Sequence, residues 1–130
     1  MDQTQITRLT LGLSCPFNLA AATVFAVPSS TIGRLVGLPP DVPVVYAVLV
    51  SFLVGLLGLA YGWLALQPHL DRPMVALGAI GKFGVFFIAL ALWLLDHVTG
   101  RLLVVASGDL VFASLWCRWL LQTPTQSAPS

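Results

Sequence analysis

The stretch GAIGKFGVFFIALALWLLD, Gly78 to Asp96, carries one charge inside an otherwise apolar run. A helix needs roughly 20 mostly apolar residues to cross the hydrocarbon core of a bilayer. The run is long enough, and Lys82 lies well inside it. A charge at that depth is costly, and such residues almost always face the interior of a bundle, paired with an opposite charge. The stretch therefore predicts a membrane helix with one face against other helices. It also demands an acidic partner at the same depth.

Composition agrees. The chain has 130 residues, 58% hydrophobic and only 8% charged, with a mean hydropathy of +0.93. A soluble domain of this size needs a charged surface, so the chain reads as an integral membrane protein. Glutamate is absent, and the acids are Asp2, Asp41, Asp71, Asp96 and Asp109. A formal net charge of +1 leaves no electrostatic footprint for nucleic acid.

Four spans are predicted: about 7–27, 43–66, 73–95 and 101–121. Between them lie PSSTIGRLVGLPPD, QPHLDR and DHVTG, each rich in turn residues. Pro43 and Pro73 fall at the first turn of a helix, where proline is tolerated. Ser29, Ser30 and Thr31 can cap a short helix that Gly37 ends. Ile32, Leu35, Val36 and Leu38 would give it an apolar side, so it is expected to lie at the membrane interface. The expected architecture is an all-α, four-helix transmembrane bundle with this interfacial helix between the first two spans. The tail, 123–130, is polar and expected to be disordered. A cleaved leader is the competing reading of the first span, with VPS before Ser30 as a passable cleavage site. Asn18 and Pro16 within the apolar run, and Asp2 ahead of a single Arg8, argue for a retained helix.

Tyr46, Trp63, Trp93, Trp116 and Trp119 lie near span ends, where an interfacial aromatic belt is expected. Arg8, Arg72 and Arg118 lie on the side of the termini, against Arg34 and Arg101 on the other. That bias predicts cytoplasmic termini.

Helices in lipid associate by close packing, which small residues permit. Ser51, Gly55, Gly58 and Gly62 form one such stripe, and Gly78, Gly81 and Gly84 a second. Both are expected to be helix contacts, within one chain or between two copies. A homodimer or larger membrane complex is a size-based expectation. Cys15 and Cys117 read as free thiols, able to pair only if the first and last helices bring them together.

Asp109 is the acid that fits Lys82. At about 1.5 Å per residue, Lys82 lies roughly 14 Å in from Pro73, and Asp109 roughly 18 Å in from Leu121. Asn18 falls at a similar depth, and Tyr61 is shallower with its hydroxyl able to reach the layer. These four are the candidate ligand-binding or structural polar set. His69 and His97 lie in loops on opposite sides and cannot share a metal. Asp96 and Arg101 flank one short turn and are expected to touch at the surface. No phosphate loop, metalloprotease or nucleophile motif is present, so neither enzyme activity nor cofactor nor metal is predicted.

The run GLPP, a tyrosine opening the second span, AYGWLALQP and GAIGK resemble small bacterial four-helix membrane proteins for which no activity is established. The resemblance spans about Arg8 to Leu121 and implies architecture alone. Likeness to DoxX-like proteins extends only to general shape. Small multidrug exporters share the size but rely on a first-helix membrane glutamate, and this chain has none. Three functions follow as expectations. The first is a structural or partner-binding membrane protein with Lys82–Asp109 as a buried pair. The second is a small transporter or channel for a proton, ion or small polar ligand using that pair. The third is a protein that uses Lys82 covalently.

Overall fold

A computed structural model describes residues 1–124. The predicted tail, 123–130, therefore lies outside the described residues except for Thr123 and Pro124. The elements are α1 (Gln3–Ala26), α2 (Thr31–Leu35), α3 (Val44–Leu66), α4 (Arg72–Leu94) and α5 (Gly100–Gln122). The four long helices are each apolar and long enough to cross a membrane.

Local chemistry sets the ends. α1 starts at Gln3 rather than at Thr7, because Asp2 and Gln5 form a reciprocal capping box, with bonds of 2.7 and 3.0 Å. Asp71 caps α4 by accepting from Met74 N at 3.1 Å, and Pro73 sits in its first turn. Ser30 caps α2 by accepting from Gly33 N at 3.1 Å. The chain leaves α2 through Gly37 at φ 85°. A Cβ on Gly37 would collide with Thr99 Oγ1, so the α2 loop presses directly on the start of α5. Ile32 and Leu35 point outward, as an interfacial helix requires. The expected Asp96–Arg101 contact does not form. Asp96 instead takes the left-handed conformation that reverses the chain, at φ 59°. Among the described residues the ion pair is Lys82–Asp109.

The helices pack as two antiparallel pairs. α1 lies along α3 and α4 along α5, α1 also meets α5, and α3 touches α4 in few places. The Ser51–Gly62 stripe of α3 lies on α1. A Cβ on Gly55 would stand 3.6 Å from Ala22, one on Gly58 2.8 Å from Asn18, and one on Gly62 3.0 Å from Cys15 Sγ. Ser51 Oγ donates to Ala22 O at 2.6 Å. Gly78 lies against Tyr61 and Trp116.

Gly81 and Gly84 make no contact of this kind within the chain, because a Cβ on either meets nothing within 4 Å among the described residues. The reason is geometric. Steps of three residues fall about 60° short of a full turn, so the series drifts off the face that Gly78 starts. The buried face of α4 is Val75, Gly78, Ala79, Lys82 and Ala89. Gly81→Ala is therefore expected to stabilise the protein by about 0.5–1 kcal/mol through helix propensity. Gly58→Ala is expected to destabilise it, because the new methyl meets Asn18. Thermal melting in detergent checks both, and equal shifts would contradict the packing.

The two helix pairs repeat one another. Asn18 follows Arg8 at the interval at which Lys82 follows Arg72. Leu11 and Ser14 in α1 match Val75 and Gly78 in α4, and all four are buried. Gly58, Tyr61 and Leu64 in α3 match Ala113, Trp116 and Trp119 in α5, again all buried. Arg8 Nη1 donates to Ala65 O (2.7 Å) and Gln67 O, and its Nη2 to Pro68 O (3.2 Å), at the end of α3. Arg72 donates to the matching carbonyls at the end of α5, Leu120 O (2.7 Å) and Thr123 O. Each arginine satisfies carbonyls that a helix C-terminus leaves unpaired, where a cation is also favoured. Equivalent positions meet between the pairs, Asn18 with Lys82 and Tyr61 with Trp116. Contact of that kind is the pattern of an approximate two-fold relation between the pairs, which run in the same direction, although α1 meets α5 more closely than α4 meets α3.

The main core lies toward the termini and comprises Leu11, Tyr61, Leu64, Val75, Ala79, Trp116 and Trp119. Two of these correct the predicted belt. Tyr46, Trp63 and Trp93 are exposed, but Trp116 and Trp119 are buried. Both share the inward face of α5 with Ala113, and their indole N–H groups find acceptors on α1. Trp116 Nε1 donates to Thr10 Oγ1 and Trp119 Nε1 to Thr4 Oγ1, each at 3.0 Å. Cys15 and Cys117 are free thiols, with Cys15 turned toward Gly62.

Candidate functional site

Lys82 lies on the inward face of α4, one turn beyond Gly78, and is 3% exposed. Its ammonium carries three N–H donors. One reaches Asp109 Oδ1 at 2.5 Å and another Asn18 Oδ1 at 3.0 Å. Around it stand four rings, with centroids 5.1 Å (Phe112), 5.3 Å (Phe17), 5.3 Å (Tyr61) and 5.8 Å (Trp116) from Nζ. Aromatic faces attract a cation electrostatically, and more strongly where water is excluded. Every long helix contributes to the layer: Phe17 and Asn18 from α1, Tyr61 from α3, Lys82 from α4, and Asp109, Phe112 and Trp116 from α5.

Asn18 serves both pairs. Its carbonyl accepts from Lys82, and its amide donates to Val54 O at 3.3 Å on α3. An ammonium cannot accept a hydrogen bond, so this orientation of the amide is forced. Val54 occupies in the first pair the place of Asp109 in the second, so the Asn18–Val54 and Lys82–Asp109 contacts are also equivalent. Asp109 is less enclosed than its partner, with a side chain 15% exposed.

The sequence-predicted residues Lys82, Asp109 and Asn18 thus meet through direct bonds. Tyr61 joins them by its ring face. The small residues Ser51, Gly55, Gly58, Gly62 and Gly78 bring the helices close enough for this contact, whereas Gly81 and Gly84 face away. His69 lies in the α3–α4 connection and His97 in the α4–α5 connection.

Sequence reasoning missed the rings. Phe112 and Trp116 share the helical face of Asp109, so plotting α5 around that residue would have found them. Phe17 adjoins Asn18 and carried no separate signal. The arginines register in the sequence as charge bias, and the equal Arg8–Asn18 and Arg72–Lys82 spacings are its one visible sign of repetition.

Chemically, the layer can hold a charge pair out of water and can pass a proton between an ammonium and a carboxylate. Fold and site together define a four-helix membrane bundle of two repeated helix pairs, joined through a buried ammonium–carboxylate contact. Comparison with family models, curated proteins and solved structures finds no match.

Proposed function

We propose that the protein is a small multi-pass scaffold that binds partner proteins within the bilayer. In this reading the Lys82–Asp109 pair is an internal pin that fixes the register of the two helix pairs. The observation that carries it is the closure of the site: carboxylate, amide and aromatic faces of the same chain surround the Lys82 ammonium. The two pairs are further held at three levels: Trp119 on Thr4, Lys82 on Asn18, and Gly37 against Thr99. The outward glycines Gly81 and Gly84 give α4 a face on which another membrane helix, of a second copy or of a different protein, can approach closely. The resemblance to small bacterial four-helix proteins favours a bacterial inner membrane, and the arginine bias favours cytoplasmic termini.

Transport of a proton, ion or small polar ligand is the second reading. It is favoured by the sparse contact between α3 and α4 beside a mid-membrane ion pair. Native mass spectrometry of the protein released with its own lipids separates the two. A co-released polypeptide or a second copy is the scaffold result. A small bound mass that disappears in Lys82→Met would overturn it in favour of a ligand site.

A further inference from the structure

α1 turns an unusual face to the interior. Thr7, Thr10, Ser14 and Asn18 are all buried, at 0%, 8%, 0% and 7% exposure. With Thr4 they follow one face of α1, about 120° wide, spaced three or four residues apart. The series starts at the membrane surface and ends on the Lys82 ammonium. Its two ends and Thr10 are bonded: Thr4 accepts from Trp119, Thr10 accepts from Trp116 and donates to Ile6 O (2.9 Å) and Thr7 O (3.0 Å), and Asn18 accepts from Lys82. The other two are not. Thr7 Oγ1 and Ser14 Oγ are buried and have no hydrogen-bond partner among the described residues. Buried hydroxyls without a protein partner are costly, and in native interiors such groups are regularly met by internal water.

The outer end of the series opens into a vestibule of about 520 Å³. Thr4, Arg8, His69, Asp71, Arg72 and Trp119 line it. Successive side chains in the series lie about 4.5–6 Å apart along the helix axis, too far for direct bonds and suited to one bridging water each.

We propose that this face of α1 is a water-mediated proton path from the terminus-side vestibule to the Lys82–Asp109 pair. A proton arriving at the vestibule moves inward by exchange along waters held at the Thr7 and Ser14 hydroxyls and at the remaining lone pair of Thr10, each water O–H bond breaking as the next forms, while the Thr10 O–H stays on Ile6 O and Thr7 O. The last water gives its proton to Lys82 Nζ as Lys82 gives one to Asp109 Oδ1. The pair changes from ammonium–carboxylate, net zero, to ammonium–carboxylic acid, net +1. The reverse sequence restores it. Among the described residues no other charged side chain faces Lys82. From α1 it meets Asn18 and Phe17, from α3 the phenol Tyr61, and from α5 Asp109, Phe112 and Trp116. The path goes beyond the scaffold reading, which requires no access to the pair.

The test uses the full chain in lipid nanodiscs and follows an acid jump by time-resolved infrared spectroscopy. The signal is the carboxylic-acid band of Asp109, identified by its loss in Asp109→Asn. Thr7→Val with Ser14→Ala is expected to slow its rise about tenfold or more while leaving its final amplitude unchanged, as removal of a proton relay does. Thr7→Ser is expected to retain the wild-type rate. Three results would overturn the path: an unchanged rate in the double variant, no Asp109 band in the wild type, or a higher Tm in both Thr7→Val and Ser14→Ala. The last would mean that the hydroxyls are dry, since removing a dry, unpaired hydroxyl stabilises a core. The scaffold reading survives any of these, because it is judged by co-released mass.

Discussion

Lys82→Ala lowers stability by about 3–5 kcal/mol, the cost of leaving one member of a buried pair uncompensated. Asp109 then has no cation within reach, and the rings that faced the ammonium cannot replace it. Asp109→Ala is expected to cost a comparable amount, moderated by Asn18, which still accepts from Lys82. The double variant loses less than the sum of the two, because the stranded charge is gone in both directions. Reversible unfolding in mixed micelles measures all three, and simple additivity would show that the 2.5 Å contact contributes nothing. An apolar replacement of both, Lys82→Met with Asp109→Leu, is expected to fold with stability near the wild type. Buried pairs often specify an arrangement more than they stabilise it. Loss of a single native register in that variant, seen as broadened spectra with an unchanged Tm, is the signature of a pin.

Trp116→Ala has the next largest effect, a loss of about 3–5 kcal/mol. The indole is fully buried and packs on Tyr61 with ring centroids 5.1 Å apart. It also faces the Lys82 ammonium, and its N–H is bonded to Thr10. Truncation opens a cavity where the two helix pairs meet and removes a donor from a buried hydroxyl. Trp116→Phe is expected to cost less, since it keeps a ring against Tyr61 and loses the bond to Thr10. Melting curves of the two variants decide the matter. Equal losses would assign the whole effect to the hydrogen bond, and a loss near zero for both would place Trp116 against lipid after all.

That last outcome is what the sequence alone predicts. Position near a span end predicts a belt only if the residue faces outward, and sequence distance from the end carries no information on direction. The inward face of α5 was nonetheless available from Asp109, three residues before Phe112 and seven before Trp116. The spans were legible because hydrocarbon imposes length and polarity on any crossing helix. Lys82, Asp109 and Asn18 were legible because charge at depth leaves few places to point. The start of α1 was not, because Asp2 and Gln5 lie outside the apolar run and act through a cap. The glycines divided for the same reason as the tryptophans: spacing by fours and threes alternately holds one face, whereas repeated threes leave it. The repeat itself is faint in the sequence because few side chains are shared between the halves. What recurs is the pattern of burial and the arginine caps.

That recurrence bears on how a charge can sit at the centre of such a bundle at all. Two identical helix pairs meeting about a two-fold axis would bring like against like: lysine on lysine, or asparagine on asparagine. Two ammonium groups in one apolar layer repel, and two neutral amides carry no charge. Joining the halves in one polypeptide frees each position to differ from its counterpart. At the junction the chain carries Asn18 on one side and Lys82 on the other, with Val54 and Asp109 behind them. A single buried cation can then be shared between halves of the same shape, an asymmetry that a dimer of identical hairpins could not encode.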